Sequence, residues 1–372
     1  MVKKADPRRG FESAQIAQTA ARIWAFFISF TVMGLIPGPI FACAFDMVKP
    51  DRTQIDWIVE AETLVLARPT ANNPFSYETL SVLHGNGERP PINQLVDSAT
   101  RRTLALNQRD SVLFAYQPDS GWQRVALVND SFRDILDTAL AHRASWNTGM
   151  PQSRMKFVSA LQDSPVPVHK AIVIGELDKV PYADLRQLDL RIPSEDLLAD
   201  LWTQRGYPYQ AIRALLLGLS DDPTARKEIH DYINRAADSQ WSNNLGAFAA
   251  AFIELEGKDG VDHLDRTMLR DPGQSLDKVE QIVMALSVHH GLSDTNVNAA
   301  IKGAVQDLVE RRPETGAIVA RQFSLRSDWS QAVILEPLVQ QRKVALTDLV
   351  TISVYVARAR ENDASRTEVA GD

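Results

Sequence analysis

Residues 112–140 read VLFAYQPDSGWQRVALVNDSFRDILDTAL, and two hydrophobic periods meet inside this stretch. Val112-Leu113-Phe114-Ala115-Tyr116 and Trp122-Gln123-Arg124-Val125-Ala126-Leu127-Val128 are short apolar runs on either side of Gln117-Pro118-Asp119-Ser120-Gly121. Proline presets φ and glycine tolerates positive φ, so the middle segment reads as the turn of a β-hairpin. From Ser131 the period changes. Phe132, Ile135, Leu136, Ala139 and Leu140 fall at i, i+3, i+4, i+7 and i+8, the stripe of an amphipathic helix. The change at about Ser131 predicts an α+β multidomain chain, with a small β-rich module over 46–130 and an all-α region over 131–361.

The helical template returns in Ile212-Leu215-Leu216-Leu219, Val279-Ile282-Val283-Leu286, Ile301-Ala304-Val305-Leu308 and Leu346-Leu349-Val350. Breakers separate these stripes: Gly206, Ser220-Asp221-Asp222-Pro223, Gly257, Asp271-Pro272-Gly273, His290-Gly291 and Arg312-Pro313. Helices are expected to begin near Tyr209, Asn243, Leu276, Glu314 and Ala345, a repeat of roughly 30–40 residues that suits stacked αα-hairpins. No strict consensus recurs. Trp241, Leu245-Gly246 and Phe248 are only faintly similar to a tetratricopeptide opening, so a looser HEAT/TPR-like array is the expectation and an irregular all-α domain the alternative. The stretch 362–372, rich in Asp, Ser, Arg, Thr and Gly without an apolar period, reads as a disordered tail.

Upstream of the hairpin, Thr63-Leu64-Val65-Leu66-Ala67 is an apolar run stopped by Arg68-Pro69. Phe75 to Val82 alternates with the period of a half-buried strand. The order IDWIVEAETLVLARP (55–69), FSYETLSVLHG (75–85), VDSATRRTLAL (96–106), DSVLFAYQPDSGWQRV (110–125) resembles the netrin-type module of exported proteins. Ala61-Glu62, Leu64-Val65, Tyr77, Leu80, Val82, Leu83, Gly85 and Val112-Leu113-Phe114-Ala115 carry the resemblance, which covers less than a quarter of the chain. It implies an OB-like barrel. Cys43 is the only cysteine, so the family's cysteine pairs are absent and its metallopeptidase inhibition does not carry over.

The front of the chain points to export. Lys3, Lys4, Arg8, Arg9 and Arg22 accompany an apolar run from Ile23 to Ile36, followed by Pro37-Gly38-Pro39 and Ala42-Cys43-Ala44. Residues 1–44 thus read as a signal peptide or anchor. Cleavage after Ala44 is the simplest processing, with Ala42 and Ala44 as the small residues a signal peptidase requires. Two alternatives stand: Ile40-Phe41-Ala42-Cys43 is similar to a lipobox, and the uncharged stretch from Ile23 to Phe45 is long enough to cross roughly 30 Å of hydrocarbon. Arg8-Arg9-Gly10-Phe11 is similar to a twin-arginine signal but sits a dozen residues from the apolar run.

With a composition of 45% hydrophobic and 23% charged residues, the body is an ordinary globular chain that must be stabilised by packing, because one cysteine closes no intrachain disulfide. Removing 1–44 deletes five basic and two acidic side chains and moves the net charge from -7 to -10. So acidic a body is a poor partner for nucleic acid or anionic lipid. Membrane contact is expected only through the N-terminal segment.

Chemistry-bearing clusters are few. His289-His290 is the first candidate for a metal, yet no further ligand stands at helical spacing from it, and imidazoles at a helix end before Gly291 suit the negative pole of the dipole. Asp259 and His263 are four residues apart beside Asp262 and Asp265, which also reads as a loop and helix start where aspartates cap amides. Gly85-Asn86-Gly87 lacks the following lysine-bearing helix of a phosphate loop and reads as a turn. No cofactor and no metal are expected, and no nucleophile elbow is present. Arg205, Tyr207, Tyr209 and Arg213 are the residues singled out for partner binding, since aromatics and arginines at helix starts suit the inner face of a solenoid. Tyr207-Pro208-Tyr209 reads equally as an inter-repeat turn, and Trp146, Trp202, Trp241 and Trp329 read as core.

These features imply an exported periplasmic or membrane-tethered protein that binds an envelope protein or peptide without catalysis. An enzyme with its site at the interdomain cleft is the second reading, and a tethered structural component the third.

Overall fold

The computed structural model describes residues 51–369 apart from 71, 86–89, 240–242 and 342–343. Ala42, Cys43, Ala44, the whole of 1–44, Asn86, Gly87 and Trp241 lie outside the described residues. Within them, seventeen α-helices accompany one four-stranded antiparallel sheet that precedes most of the helices. The fold class is α+β.

The sheet consists of β1 (Thr63–Pro69), β2 (Tyr77–His84), β3 (Ser111–Gln117) and β4 (Gly121–Val128), in the order β2-β1-β3-β4. The hairpin turn falls where proline and glycine place it, with Gln117 opposite Gly121. Both faces of the central strands are covered. Leu64, Leu113 and Ala115 pack on one face with α1 (Gln54–Glu60) and α3 (Asp130–Ala141), while Val65, Ala67, Val112 and Phe114 pack on the other with Leu104 of α2 (Ser98–Leu106). Double burial is why these strands read as continuous apolar runs rather than alternating ones. The edge strand β2 departs from expectation: it is not half-buried, and Leu80 and Val82 are each 58% exposed. It pairs along its length with β1 alone, and the covering helices sit over the strands beyond it.

The module also contains two helices inside its β-rich stretch. Thr53 starts α1 with a capping box: its hydroxyl accepts from the Asp56 amide, and Asp56 Oδ2 accepts from the Thr53 amide. Asp97 caps α2 by accepting from the Thr100 amide.

From Asp130 onward the described secondary structure is helical. The short α4 (Arg143–Trp146) leads to α5 (Gln152–Leu161), α6 (Pro167–Leu177), α7 (Tyr182–Leu185) and α8 (Ser194–Leu201). Then come α9 (Gln210–Gly218), α10 (Pro223–Asp238), α11 (Leu245–Glu256), α12 (Lys258–Leu264), α13 (Leu276–His289), α14 (Thr295–Arg311), α15 (Gly316–Ser324), α16 (Ala332–Gln341) and α17 (Leu346–Val369). The odd-numbered helices from α9 to α17 pack on one another in sequence order, and each of the even ones from α10 to α16 packs on a neighbour of that row. Helix α11 is buried on every face from Leu245 to Ile253, which accounts for its uninterrupted run of small and apolar residues. At Gly218 a Cβ would lie 2.6 Å from the Cα of Ala251, so glycine is what lets α9 and α11 approach this closely.

Two expectations at the C-terminal end are corrected. The stripe Leu346-Leu349-Val350 is not the buried face of α17: Leu346 and Val350 are exposed, and Ile352, Tyr355, Val356 and Ala359 face the core. Two apolar stripes run along this helix, and only the second meets α15, where Ile352 Cδ1 would lie 3.1 Å from a Cβ on Gly316. The stretch 362–372 is not an unstructured tail throughout, because α17 continues to Val369. Its residues before Gly371 include no glycine or proline, and a helix already nucleated propagates at little cost through such a sequence.

Candidate functional site

A cleft of about 380 Å³ opens between α6, α8 and the turn leading into α9. Proline starts α6 at Pro167, where the missing amide hydrogen would have been unpaired in any case. Helix α8 ends at Leu201, and the chain reverses through a tight turn to the 3₁₀ segment Tyr207–Tyr209. Thr203 closes that turn, its carbonyl accepting from the Tyr207 amide at 2.9 Å and its hydroxyl from the Gly206 amide at 3.0 Å. Gly206 is required there. A Cβ at this position would lie 1.8 Å from the Asp200 carbonyl oxygen.

Three of the four residues singled out in the sequence meet in this cleft: Arg205, Tyr209 and Arg213 all line it. Tyr207 does not; it lies outside the lining and is 37% exposed. The remaining wall is mostly apolar, with Pro165, Pro167, Ile174, Ile192 and Leu197. Lys170, Asp196 and Asp200 complete the charged part, and sequence reasoning missed them because no spacing rule connects α6 to α8. Lys170 Nζ donates to Asp196 at 2.6 Å. Arg205 Nη2 donates to both oxygens of Asp200, at 3.0 and 3.1 Å. That bond, followed by the charge of Arg213, holds the Asp200 carboxyl below its ordinary range. The Tyr209 ring packs against the helical core, and burial together with nearby Asp178, Glu176 and Asp56 pushes its phenol up to about 12. It is therefore a neutral donor at neutral pH.

Beyond Tyr209 a second cavity of about 180 Å³ is lined by Thr53, Gln54, Gly175 and Glu176. Beside it lies the most heavily buried charge cluster of the chain's described part. Arg154, 1% exposed, takes Glu176 side-on, with Nε to Oε2 at 2.7 Å and Nη2 to Oε1 at 2.9 Å. The same Nη2 reaches Asp56 Oδ1 at 2.7 Å, and Lys179 Nζ donates to that oxygen at 2.6 Å. The Thr53 hydroxyl donates to Glu176 at 2.5 Å.

No family model matches the chain, and no match is found among curated proteins or solved structures.

The other sequence candidates resolve into structural roles. His289 is fully buried; its Nε2 donates to the Ala250 carbonyl at 2.8 Å and ties α13 to α11. His290 pairs with Asp328 at 2.6 Å. No aspartate caps α12, whose N-cap is Gly257, and Asp262 pairs with Lys258. Asp265 opens a π-turn and pairs with Arg270 at 2.7 Å. Asp259, Asp262 and His263 line an open depression with His230 and Glu256, yet among the described residues no group of three or more His, Cys, Asp or Glu could hold a metal. Nor is any described helix long and apolar enough to cross a membrane. Trp146 is core, as expected, whereas Trp202 is half exposed.

His289 makes the fold acid-sensitive. Burial pushes its pKa down to about 4 from 6.5, against the opposing pull of Glu254 at 3.8 Å and with a minor push from Arg186. Between these two values the unfolded chain binds a proton that the folded chain refuses. Stability therefore falls as pH drops from about 6.5 to about 4, by roughly 3 kcal/mol from this group, and is flat below. Urea unfolding at pH 7.5 and 4.5 is expected to give a smaller loss for His289→Gln than for the native chain. Equal losses would assign the acid sensitivity elsewhere.

Proposed function

We propose that this protein is exported and acts without catalysis as a binding scaffold for an envelope protein or peptide, which it holds in the cleft between α6, α8 and α9. The observation that carries the reading is the convergence of Arg205, Tyr209 and Arg213 on one apolar-walled cleft. Apolar walls with a few convergent polar groups are the usual make-up of a recognition site, and roughly 300–1,000 Å³ is the usual size. In this proposal residues 46–130 are an OB-like module of netrin type and the α9–α17 row is a HEAT-like array. Support comes from the bulged antiparallel pairing of β1 with β2 and from the stacking of alternate helices in sequence order. Export rests on the leader-like residues 1–44. An enzymatic site where α1 meets α6 has less support, because both oxygens of Glu176 are held by Arg154 and Thr53.

The test is crosslinking in the living source cell. A photoreactive residue in place of Arg205, whose side chain is 82% exposed, is expected to give a discrete adduct with an envelope protein or peptide. Mass analysis of the adduct is expected to place the amino terminus at Phe45. Adducts made only with cytosolic proteins, on a chain retaining Met1, would overturn the export reading; no adduct at Arg205 would overturn the placement of the scaffold's site.

A further inference from the structure

The charges that line the cleft are already answered within the fold. Lys170 Nζ lies 2.6 Å from an oxygen of Asp196, and Arg205 and Arg213 share Asp200. Arg213 presents no edge to an occupant. It is buried, its Nε is sealed, and its Nη1 and Nη2 turn to the Asp196 and Leu197 carbonyls and to Asp200 at 3.2 to 3.5 Å. Arg205 differs. Its Nη2 is tethered by both Asp200 oxygens while its side chain stays 82% exposed, so its charge is screened and the faces of its guanidinium plane remain open. A charged occupant would give up its hydration without gaining a desolvated counter-charge, which disfavours it.

What remains of the lining is apolar, and much of it is flat. Pro165, Pro167, Ala171, Ile174, Ile192 and Leu197 form the walls. Tyr209 contributes its ring rather than its hydroxyl: a Cβ on Gly175 would lie 3.4 Å from the phenol oxygen, which places the hydroxyl beside α6 and the second cavity. A tyrosine ring, two proline rings and an open guanidinium plane suit another ring better than a branched alkyl group. Aromatic pairs gain beyond the area they bury, and a guanidinium is attracted to a ring face. At about 380 Å³ the cleft is at the small end of ligand pockets, the scale of one large side chain rather than of a folded segment.

We propose that the cleft receives one uncharged aromatic side chain of the partner polypeptide, with its ring between Tyr209 and the Arg205 guanidinium and its edge against Pro167, Ile174 and Leu197. The proposal rests on the peptide-binding reading of this cleft and adds which kind of side chain is read. Every ion pair of the lining stays as it is when the ring enters.

The experiment is a methyl-resonance NMR titration of the purified mature chain with acetylated pentapeptide amides that carry phenylalanine, tryptophan, leucine, glutamate or lysine at the centre of four alanines, and with N-acetylphenylalaninamide. The two aromatic peptides are expected to bind about tenfold more tightly than the leucine peptide, and the charged ones least. They alone are expected to move the Ile174, Ile192 and Leu197 methyl protons upfield, because a ring shields protons above its face. Arg205→Lys keeps the charge and removes the plane, and it is expected to reduce the aromatic preference about threefold. Ala171→Phe fills the cleft from an exposed position on α6 and is expected to abolish binding. Equal binding of the leucine and aromatic peptides, or binding that survives Ala171→Phe, would overturn the inference and leave the scaffold reading intact. Absence of binding by every peptide would overturn both at this cleft. N-acetylphenylalaninamide bound as tightly as the pentapeptides would replace the polypeptide by a small aromatic ligand and overturn the peptide part.

Discussion

Replacing Arg154 by methionine is expected to cost about 3–5 kcal/mol of stability, the range for removing one partner of a buried ion cluster. The reason is what stays behind. Glu176 is 0% exposed, and without Arg154 its carboxylate keeps only the Thr53 hydroxyl. Asp56 fares better because Lys179 remains, at 2.6 Å and partly in water. Burial pushes the Asp56 carboxyl up, but Arg154 and Lys179 together outweigh it and hold the group below its ordinary value. Asp56 therefore stabilises the native state above the unfolded carboxylate value, and that contribution is lost as pH falls through its folded one. Loss of Arg154 shifts this acid limb upward in pH. The double variant Arg154→Met, Glu176→Leu removes the stranded charge together with its partner, and it is expected to recover most of the stability. Guanidinium chloride unfolding of the single and double variants measures this coupling. A single-variant loss under about 1 kcal/mol, or losses that simply add, would show that the cluster does not hold α1 to α5 and α6.

Why this cluster escaped the sequence reading is a matter of distance along the chain. Asp56 and Arg154 are 98 residues apart, and no periodicity links them. Where information is local, more was legible. Pro118 and Gly121 mark the turn between β3 and β4 because each restricts or frees a single φ. The breakers from Gly206 to Pro313 separate helices because each interrupts hydrogen bonding within one turn. The strands β1 and β3 were legible as unbroken apolar runs, whose cause is burial of both their faces, whereas the exposure of β2 was not legible, since alternation says nothing about whether a covering element exists. Helices α1 and α2 were missed as well; their caps at Thr53 and Asp97 are single side chains within a stretch dominated by strand-like residues. At the cleft, Arg205, Tyr209 and Arg213 were found through their place at a helix start. Lys170, Asp196 and Asp200 were not, because only the packing of α6 against α8 and the turn brings them together.

A second large effect is expected at Phe248, whose replacement by alanine should cost about 3–5 kcal/mol, as deletion of a fully buried aromatic ring does. Phe248 is 0% exposed near the start of α11 and stacks on Tyr232 of α10 at a ring separation of 3.7 Å. On its other neighbour, Trp202, it stacks at 5.5 Å, and Trp202 closes the triad against Tyr232 at 5.7 Å. Trp202 immediately follows α8, so this stack is the support behind the turn that carries Arg205 and Tyr209 into the cleft. The Tyr232 hydroxyl donates to the Asn243 carbonyl and fixes the entry to α11 from the same side. Truncation thus removes packing from α10 and α11 and loosens the turn at once. Phe248→Leu, which keeps most of the volume, is expected to cost less than half as much. The two consequences separate experimentally: unfolding reports the core, and peptide binding at a temperature where both variants remain folded reports the turn. Binding that falls in Phe248→Ala, with Leu in between, would tie cleft geometry to the aromatic stack. Unchanged binding in a destabilised but folded Phe248→Ala chain would mean that Thr203 and Gly206 hold the turn without support from below.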